Sequence, residues 1–226
     1  MIVATHQPIF LPWPGFFHKA LKADCMVLLD GVQFPRGRGW VNRNRLKNDQ
    51  GTLWLTVPVW KKRRGLEAIR EVEICDGRDW RVKHLRGMRQ NYANSPYFEQ
   101  YYPILETIYR KPRRFLVDLN LDLIRFMWDG LSVRKEFLLQ SELGVTSTGT
   151  TLLVDLCRRL GADRYCLFPV AEKYMHAGEL ARSGIELEAT NFRPPVYPQL
   201  WGDFVYNLSA LDMLLNCGPK SRDIIS

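Results

Sequence analysis

The sequence predicts an α/β fold with a parallel-sheet core, and two strand–helix–strand cycles around a helix-rich middle carry that prediction. The first cycle opens the chain: an apolar run at 1–4, a Pro-rich turn at 8–15, a helical pattern at 16–23 and a second apolar run at 25–29. Strands covered on both faces read as continuous apolar stretches, and a helix between two of them is the usual parallel crossover. Strands at 2–5 and 27–29 should therefore lie side by side and parallel, joined by a helix from about Gly15. The second cycle runs from a strand at 137–139 through Thr148-Gly-Thr-Thr and a helix at 152–160 to a strand at 165–168, with Gly161 as the helix C-cap. Together the cycles give a Rossmann-like parallel core.

Between them lies a donor-rich loop, Phe34-Pro-Arg-Gly-Arg-Gly-Trp-Val-Asn-Arg-Asn-Arg, then a strand at 52–59 and the exposed basic turn Lys61-Lys-Arg-Arg-Gly. Residues 80–92, 97–110 and 113–130 read as helices, the last with Phe115, Leu119, Leu123, Phe126 and Met127 at helical spacing. They form an added helical layer, or a subdomain at about 80–130, within one domain spanning 1–226. Beyond the second cycle come a strand at 185–188, a Pro-rich loop ending at Gln199, and a helix at 209–216 capped by Ser209 and stopped by Gly218-Pro219.

Composition narrows the class. The chain has 226 residues, 46% of them hydrophobic, and no apolar run approaches the roughly 18 residues that a membrane span needs. Its first residues, MIVATHQPIF, lack the basic and apolar regions of a secretory signal, and five cysteines without CxxC spacing read as free thiols in a reducing cytoplasm. Thirty-two Lys and Arg against 24 Asp and Glu give a net charge of +8, which favours an anionic small-molecule substrate, with tRNA as an alternative partner. No Gx[ST]xG elbow, HExxH, CxxC pair or GxGxxG fingerprint is present, so hydrolase, zinc-protease and dehydrogenase readings find no support. No metal or flavin motif is present either, and the cofactor and oligomeric state stay open.

In open parallel sheets ligands bind beyond the carboxyl ends of the strands. Here those ends carry His6 and Gln7 after the first strand, and Asp30 to Gln33 after the second. His6 can bind phosphate or move a proton near neutral pH, and Asp30 can accept from a hydroxyl or an amine. In Trp40-Val-Asn-Arg-Asn-Arg, an extended backbone would put Asn42 and Asn44 on one face and Arg43 and Arg45 on the other, with guanidinium forks suited to phosphate or carboxylate. His6, Asp30, Gln33, Asn42 and Arg43 should line one cleft. His6 and His18 invite comparison with the HxGH motif of nucleotidyltransferases, but Phe16 follows Gly15 here and His18 is expected to face solvent. Thr148, in a hydroxyl-rich loop at a helix start, suits an anion, with simple capping as its ordinary role. His84 lies on a helix, where surface or capping roles are common.

Taken together, His6-Gln-Pro with Phe10-Leu-Pro-Trp, Asp30-Gly-Val-Gln-Phe, Trp40-Val-Asn-Arg-Asn-Arg, Trp54-Leu-Thr-Val-Pro-Val, Lys83-His84, Tyr197-Pro-Gln199 and Leu208-Ser-Ala-Leu-Asp-Met resemble the WbqC-like family over nearly the whole chain. The departure is Cys166-Leu-Phe-Pro-Val-Ala, where a Gly-rich turn is usual. The resemblance implies a small-molecule transferase of bacterial surface-polysaccharide or specialised metabolism. It favours acyl or aminoacyl transfer to an amine of an amino sugar or amino acid over nucleotidyl transfer. An aminoacyl-tRNA-dependent transferase and a nucleotide-binding or non-catalytic scaffold are the alternatives. No catalytic residue set comes with the family; the candidates are His6, Asp30 and His84 as catalytic residues, with Gln7, Gln33, Asn42, Arg43, Asn44, Arg45, Thr148, Tyr174, Tyr197 and Gln199 as substrate-binding residues.

Overall fold

A computed structural model of the chain describes residues 1–35, 37, 39–60, 66–77, 79–173 and 175–226. Tyr174 and the basic run Lys61-Lys-Arg-Arg lie outside the described residues. The chain opens with β1 (Ile2–His6), α1 (Pro14–Lys22) and β2 (Cys25–Leu28), and β1 and β2 pair in parallel from Val3 against Cys25 to His6 against Leu28. Proline at the first position of α1 has no N–H to leave unsatisfied, so it starts the helix at little cost. An antiparallel hairpin follows, β3 (Arg43–Asn48) and β4 (Gly51–Thr56). Helices α2 (Trp80–Tyr92), α3 (Phe98–Arg110) and α4 (Leu116–Gly130) come next. The second cycle comprises β5 (Phe137–Leu139), α5 (Gly149–Leu160) and β6 (Arg164–Leu167). The chain continues through α6 (Pro169–Glu172), α7 (Ala177–Arg182), β7 (Glu186–Ala189), α8 (Ala210–Cys217) and α9 (Ser221–Ile225).

The five parallel strands run in the order β5-β2-β1-β6-β7. The period-two alternation of strand side chains divides their apolar residues between two faces. Ala4, Met26 and Leu28 pack with Phe16 and Phe17 of α1, Leu123 of α4 and Leu211 of α8. Val3, Val27, Tyr165 and Leu167 pack with Leu152 and Leu156 of α5 and Leu180 of α7. The result is an α/β fold with helices on both sides of a parallel sheet. Tyr92, Leu105 and Leu123, from α2 to α4, belong to the same apolar cluster as the first face. No described helix is long and apolar enough to cross a membrane.

Between β1 and α1 the chain crosses an irregular loop, and the loop's carbonyls need donors because the segment is buried. Asn44 Nδ2 of β3 donates to the carbonyls of Phe10 (3.2 Å) and Leu11 (2.6 Å). Asn120 Nδ2 of α4 donates to Pro8 (2.7 Å) and to Val41 (2.8 Å). The Ala210 N–H at the start of α8 donates to Pro12 (2.8 Å), and the Ser209 hydroxyl caps that helix by accepting from Leu211. Leu11 is held at φ +44°, a left-handed geometry that a non-glycine residue keeps only under such restraint. Tail and head also meet at α1, where His18 is buried with Nδ1 2.6 Å from the Ile225 carbonyl of α9 instead of facing solvent.

The hairpin is fastened by a second polar set. Asp212, fully buried on α8, accepts from the hydroxyls of Tyr92 and Tyr197, and the Tyr92 oxygen accepts from the Lys47 N–H (2.7 Å). Lys47 Nζ ends on the Asp203 carbonyl at 2.6 Å. Replacing Asn120 by Ala would strand two buried carbonyls, so Asn120→Ala should lower unfolding free energy by about 2–3 kcal/mol. Urea titration measures this, and a loss below about 0.5 kcal/mol, the range of neutral surface changes, would mean that water or local collapse restores the partners.

Candidate functional site

Successive crossovers run β1 to β2 to β5 on one side and β6 to β7 on the other, so the strand order reverses between β1 and β6. A crevice at such a reversal, beyond the strands' carboxyl ends, is where open α/β sheets bind ligands. A cavity of about 470 Å³ lies beyond the end of β1, on the side of β3, and its walls include His6, Gln7, Trp13, Trp40, Asn44 and Arg45. Of the residues singled out in the sequence, it unites His6, Gln7, Asn44 and Arg45.

The imidazole of His6 is half-buried edge-on to Phe16, with ring centroids 4.9 Å apart. Its Nδ1 lies 2.9 Å from the Gln7 carbonyl, which fixes Nδ1–H as the donor and leaves Nε2 free to accept. Burial, with the Lys19 charge added, lowers its pKa to about 3. Lys19 comes from the inner face of α1 and donates through Nζ to the Thr5 carbonyl at 2.6 Å; burial lowers its pKa to about 8. A neutral imidazole and a compact cation thus sit together at the end of β1. An anion in the cavity would offset the Lys19 charge and raise both pKa values.

β3 begins at Arg43, so within it Arg43 and Arg45 share one face and Asn44 takes the other, while Asn42 precedes the strand in a bend. Asn42 donates to the Val57 carbonyl (3.0 Å), and Asn44 holds the loop after β1. The Arg43 guanidinium lies 3.9 Å from the centre of the Trp54 ring, which stacks on Trp40 at 5.8 Å. Arg45 Nη2 donates to the Tyr206 carbonyl (3.3 Å), while its Nε is buried without a hydrogen-bond partner.

The remaining candidates are engaged in other ways. Asp30 is buried, and its two carboxylate oxygens accept from the Ser141 N–H (3.0 Å) and hydroxyl (2.6 Å), tying the end of β2 to the end of β5. Gln33 bridges to Ala68. His84 is buried against the hairpin: Nε2 accepts from the Thr56 N–H (3.0 Å) and Nδ1 lies 3.4 Å from the Tyr109 hydroxyl, with burial lowering its pKa to about 4. Thr148 is exposed at the start of α5, and its side chain makes no capping bond. Tyr197 serves Asp212, and the Gln199 amide brackets the Val205 backbone at 3.0 and 2.9 Å. Among the described residues no cluster of His, Cys, Asp or Glu could hold a metal ion, and all five cysteines are free.

One wall residue, Trp13, and the buried Lys19 beside His6 escaped the sequence reading of chemistry. Trp13 stands in a Pro-rich loop that signals only a turn, and a Cβ at Gly15 would overlap its indole. Lys19 had one signal, a lysine three residues after Phe16 on the apolar face of α1.

Two outcomes follow from these placements. Because the fold holds His84 neutral to about pH 4 while the unfolded chain takes up a proton near 6.5, the unfolded state binds more protons between those values. Stability should fall as pH drops through that window, by about 3 kcal/mol from His84. Urea midpoints at pH 7.5 and 4.5 measure the slope, which should flatten in His84→Gln. Separately, Gly15→Ala must displace the Trp13 ring, costing about 1–3 kcal/mol and shifting the tryptophan emission spectrum. An unchanged spectrum would show that Trp13 does not rest on Gly15.

A family model described as the WbqC-like protein family matches residues 7–224. A protein of Mycobacterium tuberculosis (strain ATCC 25618 / H37Rv), described as uncharacterized protein Rv1507c, is 31% identical over 227 residues, covering 99% of this chain and 96% of its own length. No solved structure matches the chain. With nearly its full length accounted for by one family model, from the loop that carries the cavity to the last helix, the chain belongs to the WbqC-like family.

Proposed function

We propose that this protein is a small-molecule transferase that passes an acyl or aminoacyl group to the amine of an amino sugar or amino acid, with an anionic substrate seated in the cleft beyond the end of β1. The observation that carries the reading is that an accepting imidazole nitrogen, on His6, and an arginine with a buried unpartnered donor, Arg45, line one cavity. An anionic group meets Arg45 and draws on the Lys19 charge; the acceptor amine lies against His6. The amine nitrogen attacks the acyl carbonyl carbon, the new C–N bond forms, and the bond to an oxygen or sulfur leaving group breaks with its electron pair. His6 Nε2 receives the proton released from the nitrogen. Its pKa, low in the empty cleft, rises as the bound anion offsets Lys19. Five free thiols suit a reducing compartment such as the bacterial cytoplasm.

The tRNA-dependent version draws on basic runs. In one of them Arg113 is buried against Asp122, and Arg110 and Arg114 form surface pairs with Glu106 and Glu73, so each already faces a carboxylate. A small activated acyl donor is therefore the preferred form.

Calorimetric titration with glucosamine phosphate tests binding, and mass spectrometry of mixtures with acyl thioesters tests transfer. Arg45→Gln should weaken binding about tenfold or more, the loss of one charge-assisted contact, with unfolding free energy held within about 1 kcal/mol. His6→Gln should bind normally and form no N-acyl product. Product formation independent of His6, or binding indifferent to Arg45, would remove the reading.

A further inference from the structure

We propose that a second cavity, on the other side of Trp13, receives the base of a nucleotide-linked substrate whose phosphate reaches Arg45 in the first. This rests on the transferase reading and names its substrate class. The second cavity, of about 620 Å³, lies past the ends of β6 and β7 and shares Trp13 with the first. Its size is within the range that holds small ligands.

Three rings wall it. Trp13 lies 5.3 Å from Phe168 and 5.3 Å from Phe192 between centroids, tilted against the first and edge-on to the second. Polar groups are few: Thr190, Asn191 and Arg193. Thr190 is 5% exposed, and its hydroxyl is buried without a hydrogen-bond partner. Buried hydroxyls are nearly always bonded, so one left open on a cavity wall marks a place where a ligand atom completes it.

Each alternative occupant wastes part of this wall. A purely apolar ligand would leave Thr190 unpaired, and a bare phosphate would make no use of the aromatic wall. A heterocyclic base uses both, since it offers flat faces to the rings and donor and acceptor edges to Thr190 and the Asn191 amide. Trp13 borders both cavities, so a base stacked there carries its sugar past the indole edge, and its phosphate enters the compartment lined by Arg45.

Calorimetric titration of the four common nucleoside monophosphates against ribose phosphate, which lacks the base, tests the proposal. At least one nucleotide should bind about tenfold more tightly than ribose phosphate, the scale of one base–aromatic stack. Thr190→Val removes an unpartnered hydroxyl at nearly constant shape, so it should fold normally and lose nucleotide affinity while ribose phosphate binding stays unchanged. Arg193→Gln, a second variant at the mouth, should act in the same direction; Arg45→Gln should weaken both ligands. Ribose phosphate binding as tightly as every nucleotide would overturn the base site and leave the transferase reading standing. If neither ligand binds, the base site falls while the transferase reading stands or falls on glucosamine phosphate, and nucleotide affinity untouched by Thr190→Val and Arg193→Gln would move the base out of this cavity.

Discussion

Everything about the cleft depends on how the carbonyls between β1 and α1 are satisfied. A loop with two prolines, Pro8 and Pro12, cannot donate from those positions, and burial denies its oxygens to solvent. Donors from β3, α4 and α8 supply the missing bonds, through Asn44, Asn120 and the backbone of Ala210. Three elements far apart in sequence therefore share one short segment, and that segment places His6, Gln7 and Trp13. Shifting any of the three elements would move cavity walls that it does not itself form.

The same economy governs two buried lysines and a half-buried one. Lys19, Lys47 and Lys135 each send the ammonium to backbone carbonyls, of Thr5, Asp203 and Leu21 with Ala23. A carbonyl dipole offsets desolvation less completely than a carboxylate would. For Lys19 the result is a pKa lowered to about 8 and a positive field at the strand end that disfavours protonated His6. Asp212 shows the converse, a buried carboxylate held by two phenols, with burial raising its pKa. Polar groups in this molecule bind its layers together more than they bind one another as ion pairs.

Much of the framework was legible because it is written locally. Apolar runs flanking a helical pattern gave β1, α1 and β2, and Ser209 and Gly161 marked helix ends where the structure has them. The hairpin strand β3 was less legible, since Arg-Asn-Arg lacks the β-branched residues of an ordinary strand and its pairing depends on β4. Asp30 shows the limit most sharply: its position after β2 advertises a reactive carboxylate, yet its partner is Ser141, 111 residues away. Nothing local announces that bond. Thr190 was unreadable for the opposite reason, because what distinguishes it is a partner it lacks.

The bond between His18 and the Ile225 carbonyl sets an order of assembly during synthesis. The residues that begin the cleft leave the ribosome first, but β6 beside them starts at Arg164, the donor to Pro12 is Ala210, and the anchor under α1 is Ile225. Long-range closures of this kind are slow and leave early segments exposed. A nascent chain thus carries His6 and Trp13 without the elements that hold their loop in place until residues 164 to 225 have followed them.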